Sequence, residues 1–172
     1  MDDVDYTLVA DVLIKQLFPK NNEGKNESVI FISKAKKFNR YGIAQDRVCI
    51  LSSHGIYLVT NAKCHTRCLL SDLKWIVKAR MSKEFVLCFS NNVDLRLTLE
   101  DREDLLQLVG LRFANLCPNS GLKVFGVPSA NLKEFRNNSA GFEAEPEDKY
   151  LMKDESIISA SEHKKSIVQN KE

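Results

Sequence analysis

The stretch whose reading decides the fold is KAKKFNRYGIAQDRVCILSSHGIYLV, residues 34–59. Four cations, Lys34, Lys36, Lys37 and Arg40, crowd its first seven residues, and apolar sequence follows. Residues 47–52 and 56–60 have strand composition, and Ser53-His54-Gly55 between them is a tight turn, so a hairpin is expected here. Positive charge at the mouth of a hairpin is most simply a solvated face. It is also the arrangement that grips a phosphorylated or otherwise anionic partner.

Working outward, the period stays that of strands. Residues 29–32, 64–70, 73–79, 85–90 and 93–99 alternate or run apolar, with Asn61-Ala62-Lys63, Ser71-Asp72 and Asn91-Asn92 as breaks. About seven short strands at spacings of roughly 8–12 residues predict an antiparallel barrel or sandwich. One helix follows. Glu100 or Asp101 can cap it, Glu103 and Asp104 suit its first turn, and Leu105, Leu108, Val109, Phe113 and Leu116 form its apolar stripe before Pro118. Such a helix can plug the open end of a small barrel. Residues 122–127 read as one further short strand. A first helix is expected over residues 4–18, with Val4, Leu8 and Val12 on one stripe, Val9, Leu13 and Leu17 on the next, and Pro19 as its stop. The expected parts are an N-terminal helix and linker (1–27), the barrel domain (28–126) and a largely disordered Ser/Lys/Glu-rich tail (127–172).

Of the 172 residues 44% are apolar, enough for one core. The net charge of +2 hides a strong asymmetry: residues 28–83 carry eleven Lys or Arg against Asp46 and Asp72, a net of +9, while residues 1–27 sum to −3. A polyanionic partner at one face is expected. No stretch approaches the roughly 18 apolar residues of a spanning helix, and the acidic Met1-Asp2-Asp3-Val4-Asp5 is expected to be neither a leader nor a myristoylation site. Five cysteines without a leader read as reduced thiols of a cytoplasmic protein.

Chemistry of other kinds is poorly supplied. Cys64-His65-Thr66-Arg67-Cys68 lacks a second cluster to complete four metal ligands, and regular strand alternation would put both cysteines on one face and His65 on the other. Ser53 beside His54 belongs to a turn. There is no glycine-rich phosphate loop and no carboxylate pair in apolar surroundings. The expectation is a protein that is not an enzyme, with no cofactor, metal or catalytic residue. No nucleic acid is expected either, because the patch lacks exposed stacking aromatics. Trp75 reads as a sheet-packing residue.

The order of elements resembles a pleckstrin-homology barrel: seven antiparallel strands, then a capping amphipathic helix, here preceded by an N-terminal helix. The words of the sequence are similar to the tail-homology domain of class I myosins. The likeness is carried by Lys37-Phe38-Asn39-Arg40, the loop 41–46, Arg47-Val48-Cys49-Ile50-Leu51 and Ile56-Tyr57-Leu58-Val59. Leu70-Ser71-Asp72-Leu73 and the stretch VDLRLTLEDREDLLQLVG add to it. The resemblance implies peripheral binding to anionic phospholipid, phosphoinositides above all, and a link to the actin/myosin cytoskeleton. Residue by residue it implies that Lys37 and Arg47 bracket a phosphorylated ring. Arg40, Lys36 and Lys63 would add contacts, and Tyr41 would meet the interface. Gln45 stands where many phosphoinositide-binding barrels have another cation, and Asp46 would repel a phosphate. The alternative is a protein-interaction module of a cytoskeletal or ciliary assembly, its basic face meeting an acidic partner such as tubulin or actin. Lipid binding requires Lys37 and Arg47 to converge on one concave pocket at the open end of the barrel.

Overall fold

The computed structural model describes residues 27–60 and 63–135, and the backbone of residues 152 and 153. The helix expected over residues 4–18 and nearly all of the expected tail lie outside them. Among the described residues nine strands form one sheet: β1 (Val29–Phe38), β2 (Ala44–Ser52), β3 (Gly55–Thr60), β4 (Lys63–Leu69), β5 (Leu73–Ala79), β6 (Glu84–Phe89), β7 (Asp94–Thr98), β8 (Lys123–Val127) and β9 (Met152–Lys153). The order is β4-β3-β2-β1-β7-β6-β5-β8-β9. A single α-helix, α1 (Arg102–Leu116), lies among the described residues.

The sheet folds on itself through β1. Along its length β1 pairs with β2, and its last residues, Lys36 and Lys37, also pair with Thr98 and Leu97 of β7. The inner face gathers the main core, including Cys49, Leu51, Leu58, Phe85, Leu87, Phe89 and Leu97. β4 and β5 do not pair; the 3-10 turn Leu70–Asp72 joins them, and α1 packs on that turn and on β1. Leu105, Leu106, Val109 and Phe113 of α1 enter the same core, with Leu108 and Leu116 at its margin. The helix therefore fills the barrel as expected. Asp101 stands at its N-cap position but makes no side-chain cap bond. The start of α1 is held from outside instead: the Arg102 guanidinium donates to the carbonyls of Ala79, Ser82 and Glu84, each at 2.9 Å, and Lys78 meets Glu103 at 3.0 Å.

Three features depart from the expected layout. β1 does not stop at Ile32 but runs through the basic residues to Phe38, because pairing with both β2 and β7 satisfies its backbone. β2 starts at Ala44, so the loop expected over residues 41–46 shortens to a turn. β8 pairs parallel to β5, Trp75 opposite Lys123 through Ala79 opposite Val127, a connection that follows the excursion through α1.

The packed body also continues past Val127. Leu132 and Phe135 cover the outer face of the second half of the sheet, against Val77, Ala79, Val86, Cys88 and the half-buried Trp75. Polar contacts fasten this segment: Glu84 accepts from Arg96 at 3.1 and 3.0 Å and from the Leu132 N–H at 2.9 Å, and Arg96 also donates to the Asn131 side chain at 3.1 Å. The Arg96 guanidinium sits over the Phe38 ring, 4.2 Å from its centroid, tying in the end of β1. Removing one partner of a buried ion pair leaves an uncompensated charge, which costs about 3–5 kcal/mol. Glu84→Ala should therefore lower unfolding stability by about that much in a urea titration, and Glu84→Gln, which keeps an acceptor, by clearly less.

Candidate anion-binding face

Strand alternation divides the basic cluster. Ala35 lies opposite Arg47, Lys36 opposite Asp46, and Lys37 opposite Gln45. Ala35 and Cys49 belong to the inner core, so Lys37 and Arg47, two residues away on their own strands, share that concave face. Lys36 and Asp46 point the other way and pair on the outer surface at 3.0 Å. The expected contribution of Lys36 to the pocket is thereby corrected, since adjacent strand residues cannot reach one face. The same parity removes the expected repulsion by Asp46, which is on the far side and engaged.

The concave row extends across the sheet. Val48 pairs with Val59, and one step further along, Arg47 meets the position of Thr60; Thr60 in turn pairs with Lys63. Arg47, Thr60 and Lys63 thus form one rung over three strands, with Lys37 and Gln45 on the next. The register of β3 with β4 shifts between Leu58, opposite Thr66, and Val59, opposite Cys64. His65 is the extra residue of this bulge. It hydrogen-bonds the Thr60 hydroxyl through Nε2. The bulge also separates the two cysteines, which regular alternation would keep on one face: Cys64 joins Val59 on the outer face, while Cys68 joins the inner core. Among the described residues no group of three or more potential metal ligands gathers.

The electrostatics agree with the geometry. His65 is held below its ordinary pKa, first by loss of hydration against its neighbours, then by repulsion from Arg47, Lys63 and Lys37. Those cations come from β2, β4 and β1, so the imidazole senses all three at once. Arg47 donates to the Asp46 carbonyl at 2.8 Å and to the Gln45 side chain at 3.1 Å, and its buried Nε has no hydrogen-bond partner among the described residues. The side chains of Lys37 and Lys63 make no hydrogen bond or ion pair among the described residues. Burial pushes the Cys68 thiol up to about 11 and those of Cys49 and Cys88 up to about 12, so all three stay protonated.

Beside this row stands the β1–β2 turn. The Asn39 side chain accepts from the N–H groups of Tyr41 and Ile43 at 2.9 and 3.0 Å, and the Gly42 N–H donates to the Asn39 carbonyl at 2.9 Å. Gly42 sits at φ +78°, which a side chain rarely adopts. The turn lifts Tyr41 and Ile43 into solvent, 69% and 60% exposed. Arg40 stacks on the Tyr41 ring at 4.7 Å. Lys37, Phe38, Asn39, Arg40, Tyr41 and Asp94 line a shallow cleft of about 380 Å³. Of the six expected residues, Lys37, Arg47 and Lys63 share the concave row. Arg40 and Tyr41 flank it at the turn, and Lys36 is on the opposite face. Sequence reasoning missed Thr60, His65 and Ile43. An exposed Ile within a basic turn was a readable signal; the bulge that brings His65 to the Thr60 hydroxyl was not.

Strand order and closing helix define a pleckstrin-homology-like barrel. No protein-family model matches the chain, and no curated protein matches it, so neither comparison shows the expected likeness to myosin tail-homology domains. Solved structures with a similar course include human RhoA in complex with the DH/PH fragment of PDZRHOGEF, with a TM-score of 0.45 and 13% identity. That alignment covers 52% of this chain and 29% of the other, so this chain spans less than a third of that chain's length. The hSac2 domain from human phosphoinositide phosphatase Sac2 aligns with a TM-score of 0.47 and 15% identity over 73% of this chain and 91% of that one. At such distances the class is carried by the chain's own strand order.

A depressed histidine pKa has a definite sign. The unfolded chain takes up a proton near pH 6.5, the folded chain only at lower pH. The His65 contribution is therefore complete above that value and lost as pH falls toward the folded pKa. NMR titration should give a His65 midpoint below 6.5, rising in Arg47→Gln, and His65→Gln should flatten the acid limb of the stability profile. A wild-type midpoint at or above 6.5 would show that the cations do not converge.

Proposed function

We propose that this protein is a non-enzymatic peripheral membrane module that holds the phosphorylated head group of an anionic lipid, a phosphoinositide first, on the concave row of Lys37, Arg47 and Lys63. The observation that carries this reading is the gathering of those cations, with Thr60 and His65, on one face at one end of the first four strands. Arg47 offers a planar donor fork suited to phosphate, and the lysines act as point charges. Tyr41 and Ile43 at the turn enter the interfacial layer while Arg40 stays at head-group depth. The place of action is the cytoplasmic face of a membrane, and the motif likeness makes the actin/myosin cortex its context. No helix among the described residues is long and apolar enough to cross a membrane, so attachment through this surface is by charge and turn insertion.

Each cation near an anionic leaflet contributes about 1 kcal/mol, roughly fivefold in affinity. The attraction is screened beyond about 8 Å at physiological ionic strength. In liposome co-sedimentation at matched total charge, with and without phosphatidylinositol bisphosphate, wild type should pellet preferentially with the phosphoinositide. Lys37→Ala/Arg47→Ala should lose about 30-fold in affinity, and Lys36→Ala, on the outer face, less than about twofold. Equal binding of wild type and the double variant to every anionic liposome would remove the pocket and favour an acidic protein partner.

A further inference from the structure

The outer face of β1–β4 is apolar and buried, although the described residues supply nothing to bury it. Ile50, Tyr57 and Val59 are at most 1% exposed. The partly buried Val29, Ile32, Val48 and Cys64 complete the cluster, and every one of these residues belongs to the four strands themselves. A sheet face with nothing over it stays in water. α1 cannot be the cover, because its apolar side lies in the inner core. The segment 128–135 cannot be either, because Leu132 and Phe135 cap the other half of the sheet.

Glu27 marks where the cover comes from. Its carboxylate, only 3% exposed, accepts from the Tyr57 hydroxyl at 2.7 Å and the Ser52 hydroxyl at 2.9 Å, and meets Arg67 at 3.2 Å. Burial first, and then this carboxylate, push the Tyr57 phenol pKa up. The neighbouring Ser28 is bonded to Ser53 through both its N–H and its carbonyl. The described chain therefore begins clamped to the rim of this face, and what precedes it is the segment with two adjacent apolar stripes.

We propose that residues 4–18 lie across the outer face of β1–β4 as an intramolecular helix, seating the stripes of Val4, Leu8, Val12 and of Val9, Leu13, Leu17 on Ile50, Tyr57 and Val59, with Glu27 as the clamp. The dimensions agree. Fifteen helical residues span about 22 Å, and four strands at about 4.8 Å spacing are roughly 14–19 Å wide. Residues 19–26 can reach at most about 28 Å, enough to return the chain from the rim. The barrel is then a two-sided sheet layer with its own covering helix, independent of whether the concave row binds lipid.

Cys64 on this face allows a direct test in the full chain. Single cysteines placed one at a time over residues 4–18 are treated with a short bis-maleimide, and cross-links to Cys64 are mapped by peptide mass spectrometry, with Cys64→Ser as the blank. Intramolecular cross-links recurring every three to four residues and centred on the apolar stripes, with Thr7 and Asp11 on the opposite face silent and yields unchanged on tenfold dilution, are the expected result. No cross-link at any position, an even yield at all positions, or cross-links that appear only between chains and vanish on dilution would each overturn the proposal, the last assigning the face to a second copy.

Discussion

A sheet that is apolar on both faces must be covered on both, and the rest of this structure follows from that constraint. β3 and β6 are buried along nearly their whole length, not on alternate residues. The inner faces cover each other by folding the sheet through β1, and α1 fills the space left where β4 and β5 part. The outer face of the second half is covered by Leu132 and Phe135, which is why Glu84 and Arg96 are committed to holding that segment. The outer face of the first half needs an equivalent layer, and the buried Glu27 carboxylate shows where the chain approaches it. Unsatisfied apolar area of this size would otherwise weaken folding or recruit another chain.

The candidate anion-binding face is what remains when these demands are met. At one end of the first four strands the concave surface runs out of apolar side chains, and the next rungs carry Arg47, Thr60 and Lys63, then Lys37 and Gln45. None of these is needed to close the core. Like charges placed together repel, and that repulsion adds to the loss of hydration that holds the His65 pKa down. An anion seated among them would offset that repulsion, which gives a physical reason for tolerating the cluster.

Much of the architecture was legible because strand and helix periods are local. The seven strands of the barrel, the closing helix and the extra strand at residues 123–127 all appear near their expected places. Lys37 and Arg47 do share a face. What was not legible was parity. Reading β1 as ending at Ile32 left Lys36 and Lys37 on a loop, free to converge; extending it to Phe38 forces them apart. One extra residue at His65 likewise moved Cys64 outward and Cys68 inward, against regular alternation.

The sequence by itself determined the kinds of elements, their order and the confinement of positive charge to residues 28–83, because hydrophobic period and composition are properties of neighbouring residues. Only the tertiary structure decided which cations meet, what Asp46 is paired with and which faces need a cover. Those depend on where each strand starts and on its register with a partner remote in sequence, and a shift of one residue turns every side chain to the opposite face.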